Sequence, residues 1–436
     1  MHIGPRSRPE DSGRHRGENG RKVRKVLAPT AVALALLAGV SLAATASGSS
    51  DSAAQSTAAT GFKPTPEDDA FYTPPSPLPQ GKPGDIIRAR PAKAGPPTAR
   101  SLANAWQIMY LSTDALGKPN AVTGMVFVPK AVSDPSQLPV IGFAPGTQGS
   151  SYKCAPSLQT DHGSFYEQAA LKDMLTAGYA VAMTDWEGYH PKPTTTYMTG
   201  KAMGPALIDA VRAAQRLPEG KLSADSKVVF RGFSQGGGGS AWAGQLQPTY
   251  APELKLIGVV AGGVPADLVQ VGLPLNGKFG YGLYFNALIG LDHAYPELKM
   301  DSYLNDAGKA AVADFQDNSC VYELLKNYSG KQNSDYFAKN PLTTQEWGAR
   351  LKENKLGAEP IKVPVFQYHG TKDQLVAFNQ ASKLRDTYCA AGVNLTWKTY
   401  ETDHLTGISR GNADAMTFIA DRLAGTPATP NCPTTA

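Results

Sequence analysis

Lys227-Val228-Val229-Phe230-Arg231-Gly232-Phe233-Ser234-Gln235-Gly236-Gly237-Gly238-Gly239 is the stretch on which the reading of this 436-residue chain turns. Val228, Val229 and Phe230 in a row predict a buried strand. Gly232-Phe233-Ser234-Gln235-Gly236 then fits the G-x-S-x-G pattern, in which a strand turns sharply into a helix and presents a serine at the bend. The serine of such a turn is held in a strained backbone conformation, and side chains at Gly232 or Gly236 would collide across it. The bare pattern would arise by chance about 0.3 times in a chain of this composition, so its flanks decide. A strand before and a glycine-rich helix start after it make Ser234 a candidate nucleophile rather than a surface turn residue. No lysine follows the glycines, so a phosphate loop fits poorly.

Outward from this turn, short β-rich runs at 122–129, 139–144, 179–185, 227–233, 256–260, 363–369 and 395–400 alternate with helical patterns. Leu207-Ile208-Asp209-Ala210-Val211-Arg212-Ala213-Ala214 spaces its apolar residues by three and four, which predicts a helix ahead of the serine strand, with Gly204 and Pro205 near its start. Further helices are expected at 380–390 and 413–423. The alternation predicts a mostly parallel central sheet flanked by helices, and the serine turn within it makes this the α/β-hydrolase fold. Between 266 and 360 the strand rhythm lapses into helical and loop-like clusters, read as an inserted, largely helical cap.

A serine hydroxyl is a weak nucleophile and needs a base; in this fold the acid and base follow it in the order Ser, Asp or Glu, His. Of seven histidines, only His293, His369 and His404 follow the turn. His404 comes after the last strand, at the start of a loop from which an imidazole reaches the serine, and is the expected base. His293 falls in the cap and His369 at a strand end, where a local hydrogen bond accounts for each. Asp373, in the turn after the 363–369 strand, is the expected acid. Asp403 and Glu401 rival it by nearness to His404, but neighbours on one strand or loop point apart. An oxyanion intermediate needs backbone donors. Gln235 N–H is one; Gly146-Thr147-Gln148-Gly149 supplies the other, from Thr147, with Gln148 as the alternative.

Arg21, Lys22, Arg24 and Lys25 precede an Ala/Leu-rich run from Thr30 to Val40 and the small residues Ala44-Thr45-Ala46, which reads as an export signal over 1–46. The run is short and broken by Pro29 and Gly39, against a membrane anchor. Residues 47–85 are rich in Ser, Ala, Thr, Pro and Gly without apolar periodicity and are expected to be a disordered linker, leaving 86–436 as the catalytic domain. Eight Lys and Arg against three acids in the first 25 residues account for the whole net charge of +5. The neutral remainder offers no electrostatic footprint for nucleic acid. Cys154, Cys320, Cys389 and Cys432 in an exported chain predict two disulfides; of three connectivities, Cys154 with Cys320 and Cys389 with Cys432 is favoured. Neither C-x-x-C nor H-E-x-x-H occurs, so no metal is expected.

Ala144-Pro145-Gly146-Thr147-Gln148-Gly149 leading to Cys154-Ala155-Pro156-Ser157, Asp185-Trp186-Glu187-Gly188, the 209–214 helix, the serine turn, Asp373 and His404 together resemble the secretory lipase family of yeasts and actinobacteria. The resemblance runs roughly over 91–432. It implies a capped α/β-hydrolase with disulfides, and a serine triad that lines up with Ser234, Asp373 and His404. It implies a secreted enzyme that hydrolyses acylglycerols and simpler esters through an acyl-enzyme on Ser234 and uses no cofactor. Its partner would be a small-molecule or lipid ester, met at a lipid–water interface, with the chain acting as a monomer. Phe279, Tyr281, Tyr284 and Phe285, with Val271, Leu273, Leu275, Leu283, Leu288 and Leu291, offer an apolar wall for an acyl chain. The family often has His-Gly-Thr where this chain has Pro145-Gly146-Thr147; the proline removes one N–H, and Thr147 keeps its own.

Overall fold

The computed structural model describes residues 69–432; the expected export signal and most of the expected linker lie outside them. Among the described residues nine strands form one sheet: β1 (Ile86–Ala92), β2 (Ala103–Thr113), β3 (Pro119–Pro129), β4 (Val140–Ala144), β5 (Ala180–Thr184), β6 (Val228–Phe233), β7 (Leu256–Gly262), β8 (Val365–Gly370) and β9 (Leu395–Tyr400). Their order is β1-β2-β3-β5-β4-β6-β7-β8-β9. β1, β2, β3 and β5 pair antiparallel, and from β5 to β9 every pair is parallel. β1 and β2 add to the strands read from the sequence.

β4, β5, β6 and β8 are buried along their whole length, which explains why their sequences are nearly continuous apolar runs rather than alternating ones. Successive side chains still face opposite ways. Val140, Val228, Phe230 and Val259 enter one core with the helices Gly200–Arg216 and Gln235–Tyr250. Ile141, Phe143, Val229 and Val260 enter the other, with Leu171, Met174, Phe418 and Ile419. The Gly200–Arg216 helix begins ahead of the expected start and carries Pro205 inside it.

Residues 69–85, expected to belong to the linker, pack against the domain. Asp69 caps a turn at Ala70–Tyr72, in which Phe71 and Tyr72 are buried. The Tyr72 hydroxyl meets Ser157 Oγ at 2.7 Å, and Arg90 both pairs with Asp69 and lies 4.3 Å from the Phe71 ring centre. Two aromatic side chains anchor this arm in a segment whose composition resembles a linker.

Between β7 and β8 the chain forms helices, the longest being Tyr281–Ala294 and Asp306–Asn318, and contributes no strand to the sheet. Cys154 is bonded to Cys320, joining the loop after β4 to this insertion, and Cys389 to Cys432. Near Cys432, Asn431 N–H donates to Leu395 O at 3.1 Å. The Asn431 side chain accepts from Trp397 N–H at 2.6 Å and donates to Trp397 O at 2.8 Å. Among the described residues, no helix is long and apolar enough to cross a membrane.

Candidate active site

Ser234 lies between β6 and the helix Gln235–Tyr250 with φ 58° and ψ −122°, a region L-residues rarely adopt. Its N–H donates to Gly262 O at 2.9 Å, which ties the turn to β7. A Cβ on Gly236 would stand 1.9 Å from Ala144 O, and one on Gly232 would stand 2.3 Å from the Gly236 backbone. Only glycine lets the end of β4 come this close to the serine.

His404 Nε2 stands 2.8 Å from Ser234 Oγ, and His404 Nδ1 stands 2.6 Å from Asp373 Oδ2. A carboxylate only accepts, so Nδ1 carries the hydrogen and Nε2 turns its lone pair to the serine. His404 opens a short helix, His404–Arg410, rather than the expected loop, and Asp403 caps it by accepting from Thr406 N–H at 2.8 Å. Glu401 pairs with Lys372 at 2.7 Å. Both rivals to Asp373 are thus engaged away from the imidazole. The ring packs 5.0 Å, centre to centre, from Phe233 and is 5% exposed.

Asp373 is held from several sides. Oδ1 accepts from Leu375 N–H at 3.0 Å and Val376 N–H at 2.7 Å, leaving Oδ2 for His404. His369 Nε2 lies 3.3 Å from Oδ2 and 2.8 Å from Val376 O. Burial pushes the carboxyl up, but the histidine charges and hydrogen bonds outweigh it and hold Asp373 well below the usual carboxylate range. His293 lies elsewhere, its Nδ1 on Thr195 O at 3.0 Å.

Gln235 is the first residue of its helix, so its N–H has no intrahelical acceptor. Facing it across the Ala144–Gly236 contact is the loop with Thr147 and Gln148, both buried. Gly146 N–H donates to Glu167 Oε1 at 2.6 Å, and Thr147 Oγ1 meets the Tyr197 hydroxyl at 2.8 Å. Val321 N–H donates to Gln148 O at 2.7 Å and Ser150 N–H to Ser319 O at 3.1 Å, beside the Cys154–Cys320 bond. The other motifs act as joints. Asp185 accepts from Ser157 N–H at 2.6 Å and Thr123 Oγ1 at 2.7 Å. Asp209 takes Ser112 and Tyr250 hydroxyls, each at 2.7 Å, and Arg212 at 2.9 Å. Burial pushes both carboxyls up to about 6.

An apolar cavity ends on Ser234 and His404, with walls that include Leu268, Leu275, Leu283, Leu288, Leu291 and Leu351. Of the four aromatic residues expected to meet substrate, Tyr284 lines it; Phe279, Tyr281 and Phe285 do not. Phe279 is 39% exposed on the surface. Tyr281 and Phe285 are fully buried and stack on Tyr336, with ring centres 5.8 and 5.2 Å apart. Their helix turns 100° per residue, so Tyr284, Ala287, Leu288 and Leu291 face the cavity while Tyr281 and Phe285 fall on the next face. Sequence reading missed Leu375 and Val376, which line the cavity and also hold Asp373. An apolar pair directly after the candidate acid was the available signal. Val269 and Leu273 line the cavity while 38% and 51% exposed, so they form its rim. Among the described residues, no group of three or more His, Cys, Asp or Glu could hold a metal.

Serine, histidine and aspartate in one hydrogen-bonded series at the carboxyl ends of a parallel sheet, under a helical insertion, define the class: a capped α/β-hydrolase. Residues 157–431 match the family profile described as Secretory lipase, and the chain belongs to that family. It is 32% identical to Lipase 5 of Candida albicans over 401 residues, covering 85% of this chain and 84% of that one. It is 28% identical to the secreted triacylglycerol lipase LIP1 of Malassezia furfur, covering 84% and 77%. Among solved structures, Candida antarctica lipase A in its closed state superposes with a TM-score of 0.76 at 25% identity, over 84% of this chain and 88% of that one.

Proposed function

We propose that the chain is a secreted serine ester hydrolase that cleaves acylglycerols or other apolar carboxylic esters through an acyl-enzyme on Ser234. One observation carries the reading: His404 bridges Ser234 Oγ at 2.8 Å and Asp373 Oδ2 at 2.6 Å. His404 Nε2 takes the Ser234 proton as Oγ attacks the ester carbonyl, and the oxyanion is held by the N–H groups of Gln235 and Thr147. Asp373 stabilises the imidazolium, which then protonates the leaving alcohol. Water repeats the sequence on the acyl-enzyme, releasing the acid and restoring the serine.

The acyl chain occupies the leucine-walled cavity, and segment 266–360 serves as its cap. Val269 and Leu273 at the rim meet a lipid–water interface, where exposed apolar side chains find a partner. The secretory family and the relative named as a secreted triacylglycerol lipase support the substrate class and export; the signal over 1–46 rests on the sequence. Each chain holds a full relay, so the proposed chemistry needs no second copy. Ser234→Ala, assayed on p-nitrophenyl esters with circular dichroism as a folding control, is expected to abolish turnover in a folded protein. Full turnover by that variant would overturn the reading.

A further inference from the structure

One carboxylate takes no part in this chemistry yet holds the loop on which it depends. Glu167, just before the helix Gln168–Thr176, is 4% exposed, and its Oε1 accepts from Gly146 N–H at 2.6 Å. Pro145 has no N–H, so Gly146 is the first amide of the loop, directly ahead of Thr147. A Cβ on Gly146 would come within 2.5 Å of the Tyr166 hydroxyl oxygen, 3.1 Å of Glu167 Oε1 and 3.4 Å of Phe233 O. The loop is therefore seated between Glu167 and the residue preceding the serine. Nothing about loop packing alone requires a buried acid here, where an uncompensated charge is costly. Arg231, buried on β6 three residues ahead of Ser234, draws the carboxyl toward its ionised form.

We propose that ionised Glu167 is a positioning residue: it fixes the Gly146 amide so that the next N–H, that of Thr147, points at the developing oxyanion. This rests on the esterase reading above. Hydrogen bonds to a charged acceptor are shorter and roughly twice as strong as neutral ones. An oxyanion donor helps only if it is oriented before the charge appears. Burial pushes Glu167 up to about 7, against the pull of the Gly146 N–H, Arg231 and Tyr166. The ionisable groups facing it are Tyr166 beside it, Arg231 on β6 and Tyr368 on β8. The phenols stay neutral and the guanidinium charged across the neutral range, so Glu167 is the member of this group that titrates there. Protonation of Glu167 then removes the charged acceptor and lowers turnover on the acid side without abolishing it.

The test measures kcat and KM for p-nitrophenyl butyrate from about pH 5 to 9 on the full chain and its variants E167Q, E167D and S234A. E167Q is expected to lower kcat about tenfold at pH 8 with KM within about twofold, because the donor acts on the transition state. The ratio of wild-type to E167Q kcat should fall from about ten at pH 8 toward one at about pH 5, as the wild-type carboxyl takes up its proton. E167D keeps a carboxylate on a shorter arm, so kcat drops while a pH-dependent step remains; it serves also if E167Q misfolds by circular dichroism. Wild-type kcat in folded E167Q, or wild-type kcat in folded E167D when E167Q does not fold, overturns the proposal. So does a ratio of wild-type to E167Q kcat that stays constant from about pH 5 to 8. If S234A is inactive in those cases, only the positioning role falls; if S234A keeps turnover, the esterase reading falls with it.

Discussion

Replacing Asp373 by asparagine leaves the shape of the relay almost unchanged and reverses one hydrogen bond. Asp373 Oδ1 accepts two backbone N–H groups, from Leu375 at 3.0 Å and Val376 at 2.7 Å. In Asp373→Asn the amide oxygen keeps that place, because an NH2 there would face two donors. The NH2 is then turned to His404 Nδ1, 2.6 Å away in the native protein. A donor at that distance requires Nδ1 to accept, so the ring hydrogen moves to Nε2, which faces Ser234 Oγ at 2.8 Å. The serine loses its base and the imidazolium its counter-charge. A ten-thousand-fold loss in kcat is the expected order, about 5.4 kcal/mol of barrier at 1.36 kcal/mol per factor of ten. KM should stay within about threefold, since Asp373 is not on the cavity wall. Initial rates on p-nitrophenyl butyrate give both constants, and circular dichroism checks the fold. A folded variant losing less than about tenfold in kcat would refute the orientation of His404 by this carboxylate.

Two further expectations concern stability and specificity. Burial raises Glu167 to about 7 and Asp185 and Asp209 to about 6, so their contribution to stability is full below the ordinary carboxylate range and is lost as pH rises through 6 to 7. Asp373, held low, acts oppositely: its contribution is present above the ordinary range and is lost as pH falls below it. Thermal melts should show Tm declining from about pH 5 to 8, with E167Q flattening that decline by on the order of 3 kcal/mol; a flat wild-type profile would contradict this. Leu288, 2% exposed on the cavity wall, is placed to set chain length. Leu288→Trp should lower the laurate-to-butyrate ratio of kcat/KM for p-nitrophenyl esters about tenfold, and an unchanged ratio would place the acyl chain elsewhere.

The relay was legible because Ser234, Asp373 and His404 each follow a strand end, and the order of acid and base after the serine narrows the candidates to a few. The cap was not. Hydrophobicity marks Tyr281, Tyr284, Phe285 and Leu288 alike as buried, and one residue on a helix is a turn of 100°, enough to separate cavity wall from cap core. Phe71 and Tyr72 show a second limit, since two buried rings can anchor an arm whose composition resembles a linker. Glu167 shows a third: in Phe165-Tyr166-Glu167-Gln168 it reads as an ordinary acid at a helix start. Its meaning comes from Gly146, 21 residues away, which only the packing of two loops brings to it.

β9 is the outermost strand on the side of the sheet that carries the relay's acid and base. An outer strand offers a ladder of bare amides to any other chain that comes near, and it is a common starting point for clumping. Asn431 already occupies part of that ladder through Leu395 and Trp397, and the Cys389–Cys432 bond keeps it there. The C-terminal tail thus acts as a guard rail against partially loosened copies adding to one another strand by strand.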